Sequence, residues 1–198
     1  MLKQFRQVGR DLYTSGLIAG SSGNLSIRLG DRIIITRRGS CKADLEEQDL
    51  VETGITRNDR NTHMASSELA VHRAIYQNTP ATAIIHAHPP HAVALSLAEN
   101  EIVPEDDEGR KYFSCVSIVG NTPATIVPGI LADEISKVLQ SARVVMVRGH
   151  GSFAIGQILE EAFNLTSTFE ESCKIICLMK SLQFKHQPSE TPQLRPLI

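Results

Sequence analysis

The sequence predicts an α/β fold, in the form of a three-layer α/β/α domain. Three observations predict it: strand-like runs interspersed with segments of helical periodicity, a hairpin near the start, and long loops at strand ends. The 198 residues are 41% hydrophobic and 21% charged, enough for one domain with a sizeable core. No repeat, low-complexity tract or composition break divides the chain. One domain is therefore expected over residues 1–183, followed by a polar, proline-containing tail over 184–198.

Leu2, Phe5, Val8, Gly9 and Leu12 recur at helical spacing, and Gly16 is a helix stop. Small residues follow from Gly20 to Asn24. Leu25–Arg28 and Ile33–Thr36 read as two strands joined across Gly30-Asp31. Asp44 to Leu50 reads as a short capped helix, and Asn58 to His63 as an exposed turn. Ser66-Ser67 open a second helix with Glu68 in its first turn, an arrangement suited to capping and to the helix dipole. Ala81 to His88 is a buried strand stopped by Pro89-Pro90, and His91 to Leu97 returns to helical spacing. Residues 99–111 are charged, contain Pro104 and Gly109, and read as a loop. Cys115–Val119 is a strand, Leu131–Ala142 a helix, and Val144–Val147 a buried strand ending in Gly149-His150-Gly151. A last helix runs over about Leu159 to Leu182, with Ala162, Leu165, Phe169, Cys173 and Ile176 on one face. The tail from Phe184 has three prolines and is expected to be extended or disordered.

Composition excludes several classes of function. A net charge of −2 offers no basic excess for nucleic acid or a membrane surface. No apolar run reaches the ~18–20 residues of a membrane span. The N-terminus carries polar residues throughout its first turns, unlike a signal peptide. Cys41, Cys115, Cys173 and Cys177 are too few and too irregular for a disulfide scaffold, which predicts a reducing, cytoplasmic setting. Cys173 and Cys177, at i and i+4, are better explained by the buried side of their helix than as metal ligands.

The chemistry centres on histidine. His86 and His88, at i and i+2 of a strand, project from one face, so both imidazoles reach one ion. Alone, the pair fits a buried, neighbour-satisfied couple equally well. With His150 between two glycines at a second strand end, the inventory fits an open three-histidine zinc site. Glu68 at a helix start is either a cap or a proton acceptor beside a cation. Gly23-Asn24, Arg38-Gly39 and Ser66-Ser67 offer amides, hydroxyls and a fixed cation suited to phosphate, though each alone is a turn or a cap. His63 and His186 read as solvated, His72 as a helix-surface histidine, and His91 as a residue behind the site.

Taken in order, Gly23-Asn24-Leu25-Ser26, Ile35-Thr36-Arg37-Arg38-Gly39, Ser66-Ser67-Glu68, His86-Ala87-His88-Pro89 and Gly149-His150-Gly151 resemble the class II aldolase/adducin family. The resemblance covers about residues 5–182. It implies a homotetramer with active sites at subunit interfaces. It implies one Zn2+ per subunit, or another divalent metal such as Mn2+ or Co2+, bound by His86, His88 and His150. Glu68 would be a further ligand that substrate displaces and that then shuttles a carbon-bound proton. Gly23, Asn24, Arg38, Gly39, Ser66 and Ser67 fall on the family's phosphate-cradling positions. The implied reaction is reversible cleavage of a phosphorylated ketose, such as L-fuculose 1-phosphate, to dihydroxyacetone phosphate and an aldehyde through an enediolate.

The sequence departs from the family's aldolases in two places. Their Thr-Pro-x-Gly loop is Thr36-Arg37-Arg38-Gly39 here, with two cations and no proline. The tyrosine that donates a proton to the departing aldehyde is absent from 102–109, leaving Tyr112, Asp106 or Glu108 as substitutes. On the same scaffold the alternatives are a sugar-phosphate 4-epimerase, a methylthioribulose-phosphate dehydratase and an oxo-acid phosphate decarboxylase. A non-catalytic, adducin-like interaction module is a further alternative, but such domains lose the metal ligands that His86, His88 and His150 retain.

Overall fold

The computed structural model describes residues 1–120 and 128–182. The first half comprises α1 (Leu2–Thr14), β1 (Asn24–Leu29), β2 (Arg32–Thr36), β3 (Leu50–Gly54), α2 (Leu69–Asn78) and β4 (Ala83–Ala87). The second comprises α3 (Pro90–Ala98), β5 (Glu101–Ile102), α4 (Asp107–Tyr112), β6 (Val116–Val119), α5 (Pro128–Val138), β7 (Val144–Val147), β8 (Gly151–Gly156) and α6 (Leu159–Ser181). The strands form one mixed sheet in the order β3-β2-β1-β4-β8-β7-β6-β5, with β6 and β7 its parallel pair.

Period-two alternation divides the sheet between two cores. Ala83, Ile85, Ala87, Val144, Met146 and Ala154 face α1, α3 and α6, where they meet Phe5, Leu12, Leu95, Leu165 and Phe169. Ile84, Val145, Val147, Phe153 and Ile155 face α2 and α5, where they meet Leu69, Ile75, Tyr76, Ile135 and Leu139. Helices therefore cover both faces, giving the α/β/α sandwich. Each fully buried Leu, Ile or Phe contributes about 1.5–3 kcal/mol, so two continuous apolar layers can carry a polar site cut into the sheet between them.

The β1–β2 hairpin turns at Gly30 as the sequence predicts, pairing Leu29 with Arg32. Five segments differ from expectation. Asp44 to Leu50 is no helix: two 3-10 turns, Lys42–Asp44 and Glu47–Asp49, lead into β3. This run lacks the i, i+3, i+4 apolar face a helix would bury; Leu45 is buried, and Glu46 and Asp49 close a single turn by capping each other. The edge strand β3 and the central strand β8 are additional to the sequence reading. In β8, bounding glycines disguise a run in which every residue is buried. Residues 99–111 are more than a loop, because the Asp106 carboxylate accepts the Gly109 N–H and starts α4. The helix expected from Leu131 begins at Pro128 and ends at Val138. The 184–198 tail and His186 lie outside the described residues. No described helix is long and apolar enough to cross a membrane.

Candidate metal centre and anion cradle

Asn24 pairs with His86 across β1 and β4, so Asn24 and Ser26 share the sheet face of Ile84 and His86. That face lies under α2. His88 follows β4 directly, its backbone N–H held by the Leu17 carbonyl, and His150 sits in the tight turn between β7 and β8. The fold thus brings His86, His88 and His150 together, with ligand atoms all within 4.8 Å of one another. Ring centroids are 4.8, 4.9 and 5.1 Å apart.

This approach requires glycine at 151. A Cβ there would stand 2.3 Å from the Ala87 carbonyl oxygen and 2.9 Å from His88 Cδ2. Gly23 likewise adopts φ +68 with its missing Cβ aimed at the His86 carbonyl.

The donor chemistry fits a divalent cation. His86 Nδ1 lies 3.0 Å from the Ser152 carbonyl oxygen, which can only accept, so Nδ1 carries the proton and Nε2 presents a lone pair. That lone pair faces His88 Nε2 at 2.9 Å and the Glu68 carboxylate at 3.1 Å. Glu68 also approaches His150 Nε2 at 3.6 Å. Three clustered imidazoles, with the Glu68 carboxylate beside two of them, suit a borderline-soft divalent ion such as zinc. Burial, assisted by its histidine neighbours, pushes His86 well below the ordinary imidazole range and brings His88 down to about 4. Both rings are therefore neutral donors at pH 7. Burial raises Glu68, while the hydrogen bond from Asn24 opposes that rise.

Glu68 stands immediately before α2, at its N-cap, and not in the first turn. Its carboxylate makes no capping bond; the Asn24 side-chain amide donates to it at 2.7 Å. Ser66 Oγ instead accepts the Glu68 N–H. The capping expected of Glu68 is thus displaced by its contacts across the cavity.

Gly23, Asn24, Arg38, Gly39, Ser66 and Ser67 all line the same cavity as the histidines and Glu68, a space of about 200 Å³. Arg37 joins them. The Thr36–Gly39 turn is tied beside the start of α2 by Arg38 N–H to the Met64 carbonyl and Ser66 N–H to the Thr36 carbonyl. Lys42, absent from the sequence reading, is buried at the wall, and its ammonium donates to the Ser21 and Ser40 carbonyls at 2.7 and 2.8 Å. It stitches the 20–24 loop to the 37–40 loop. A lone lysine in a polar stretch gives no sequence signal for this role.

Other candidates go elsewhere. His72 is fully buried, not on the helix surface, because α2 turns Glu68, His72 and Tyr76 toward β1. Their spacing of four, against Asn24 and Ser26 at a spacing of two, was the available signal. His91 pairs with Glu170 at 2.7 Å, and Glu170 also accepts the His91 and Ala92 N–H groups at the start of α3. His63 is exposed, and Cys173 packs in the core. Asp106 caps α4, Glu108 pairs with Lys111, and Tyr112 is half exposed; none of the three lines the cavity.

A mixed α/β/α sheet with a histidine cluster and an anion-suited cradle in one cavity defines an enzyme-like α/β domain with residues that could hold a divalent cation. The chain belongs to the class II aldolase and adducin family: residues 3–177 match the Class II Aldolase and Adducin N-terminal domain. It is similar to the crystal structure of L-fuculose-1-phosphate aldolase from Thermus thermophilus, with 36% identity, a TM-score of 0.85, and 93% of this chain and 97% of that one covered. An L-fuculose phosphate aldolase of Methanocaldococcus jannaschii is 31% identical over 179 residues, covering 89% of this chain and 95% of that protein. A probable bifunctional methylthioribose-1-phosphate isomerase/methylthioribulose-1-phosphate dehydratase of Nocardia farcinica is 29% identical over 188 residues. That match takes in 84% of this chain and 33% of the longer protein.

Proposed function

We propose that the chain is a metal-dependent aldolase that reversibly cleaves a phosphorylated ketose, L-fuculose 1-phosphate being the default, to dihydroxyacetone phosphate and an aldehyde. The supporting observation is that one cavity holds the three imidazoles and Glu68 beside the loops of Arg38, Gly39, Ser66 and Ser67. Residues 1–183 form the catalytic domain of a cytoplasmic homotetramer, with one divalent ion per subunit on His86, His88, His150 and Glu68.

That ion, zinc or else manganese or cobalt, supplies Lewis-acid polarisation of the ketose oxygens. The protein does the rest. Ser152 holds His86 in the tautomer that leaves Nε2 free. Arg38, the Ser66 and Ser67 hydroxyls and the amides of Gly23 and Gly39 hold the phosphate, fixing the sugar by its non-reacting end. Asn24 joins the two halves, with its side chain on Glu68 and its main chain beside Gly23. Glu68 takes a proton from carbon in synthesis and returns it in cleavage, and burial suits it to the task by raising its affinity for that proton.

The test is release of dihydroxyacetone phosphate from a panel of ketose phosphates by the zinc-loaded protein. Chelator-sensitive release is expected; no release with one metal bound per subunit overturns the reading. The Nocardia relative, which matches 84% of this chain, makes a dehydratase the second reading. Loss of water from methylthioribulose 1-phosphate would identify it.

A further inference from the structure

We infer that His72 is a positioning residue: through the side chain of Asn24 it fixes the orientation of the Glu68 carboxylate. The inference deepens the proposed reading, in that it takes Glu68 as the group that carries the proton.

Five groups from two elements form one buried line. Tyr76 Oη lies 2.8 Å from Ser26 Oγ, and Ser26 Oγ lies 2.6 Å from His72 Nδ1. His72 Nε2 lies 2.5 Å from Asn24 Oδ1, and Asn24 Nδ2 lies 2.7 Å from Glu68 Oε2. The line follows from two periods. Glu68, His72 and Tyr76 recur every four residues along α2, while Asn24 and Ser26 recur every two along β1. Ser26, His72 and Tyr76 are 0–1% exposed, and Asn24 is 5% exposed.

The direction of every bond is determined from one end. An ionised carboxylate only accepts, so the Asn24 amide presents its NH2 to Glu68 and its carbonyl to His72. His72 must then donate from Nε2, which leaves Nδ1 an acceptor. Ser26 must give its hydroxyl proton to Nδ1, and so receives the proton of Tyr76. Burial keeps Tyr76 a neutral phenol and His72 a neutral ring, as this order requires. All donors therefore point toward Glu68.

His72 decides the outcome because an amide can turn over. With Nε2–H facing it, the Asn24 group is locked with its carbonyl toward the ring. Without that donor the amide keeps only its bond to Glu68, and the group that orients the carboxylate is no longer held from behind. His72 Nε2 bonds to Asn24 and reaches the ion's ligands only through Glu68, so with three imidazoles left in place a change at His72 should alter turnover more than metal content.

The experiment combines a spectrum with a kinetic series. Two-bond proton–nitrogen correlation on protein labelled with 15N-histidine, assigned by the loss of one ring in His72→Gln, reads the tautomer of His72 in the folded wild type. A ring protonated at Nε2 is expected. His72→Leu should lower kcat by about 10- to 100-fold, the usual cost of losing a partner behind a site, with KM and bound metal near wild type. His72→Gln, whose amide reaches the Nε2 position, should restore most of that loss. A ring protonated at Nδ1 overturns the inference whatever the activity, and needs no variant to fold. So does a folded His72→Leu with wild-type kcat, or a His72→Gln no better than His72→Leu. A protein that shows the Nε2–H ring but cleaves no ketose phosphate refutes the proposed reaction and leaves the hydrogen-bond line standing.

Discussion

Glu68 Oε2 lies 3.1 Å from Nε2 of His86, and that nitrogen has no proton to offer it, because the ring donates from Nδ1 to Ser152. A lone pair and a carboxylate at this distance repel unless a cation or a shared proton stands with them. The contact therefore ties the carboxylate to the same charge that the imidazoles accommodate. With His86 and His150, Glu68 would help to hold a cation, and as a carboxylate it would also be able to accept a proton from a bound substrate.

Glu68→Gln should keep the fold and lose turnover. The amide can still accept from Asn24, so the local hydrogen bond survives while the proton acceptor is removed. General-base loss of this kind costs about 10²–10⁴-fold in kcat. Melting temperature and single-turnover product formation would be measured together, and a folded variant with near-normal rate removes Glu68 from the mechanism.

His88→Ala should release most of the bound metal. Two imidazoles and one carboxylate make a poor site, and the His86 lone pair would lose its nearest nitrogen neighbour at 2.9 Å. Metal per subunit after gel filtration is the readout, and unchanged stoichiometry would remove His88 from the ligand set.

Gly151→Ala should damage the same site without replacing a ligand. Its Cβ would meet the Ala87 carbonyl oxygen at 2.3 Å and His86 Cε1 at 3.0 Å, so β8 must move away from β4. The strain should cost about 1–3 kcal/mol of stability and weaken metal binding with it. Denaturant unfolding with and without zinc measures both, and a variant that matches wild type in each would show the strands absorb the methyl group.

How far the sequence could be read depended on whether a residue's partners were local. His86 and His88 were legible because positions i and i+2 of an extended segment face the same way, although β4 itself ends at Ala87. The β1–β2 hairpin was legible because Gly30-Asp31 marks its turn. The buried state of His72 was not, since it depends on which strand lies under α2, and only the Asn24–His86 register decides that. β8 was hidden because its glycines read as punctuation, although Gly151 is what allows β4 and the His150 turn to close up. Lys42 could not be placed from sequence, because its partners are main-chain carbonyls on two separate loops.

Lys42 gives the protein a specific pH dependence. Burial lowers its amine from 10.5 to about 8, against the attraction of nearby anionic groups. Below pH 8 the amine is charged in both folded and unfolded chains, and its burial opposes folding by a constant amount. Between pH 8 and 10.5 the unfolded chain still binds the proton that the folded chain has begun to lose. Stability owed to this residue therefore rises with pH across that window. In Lys42→Met that rise should vanish, so the wild type should gain stability relative to the variant as pH climbs from 8 to 10.5. The variant should also raise KM for a phosphorylated ketose, because the lysine bridge between Ser21 and Ser40 is then lost from the two loops proposed to hold the phosphate. Parallel unfolding curves across that pH range decide the first claim, and a pH-independent difference between the two proteins would show that Lys42 titrates normally in the fold.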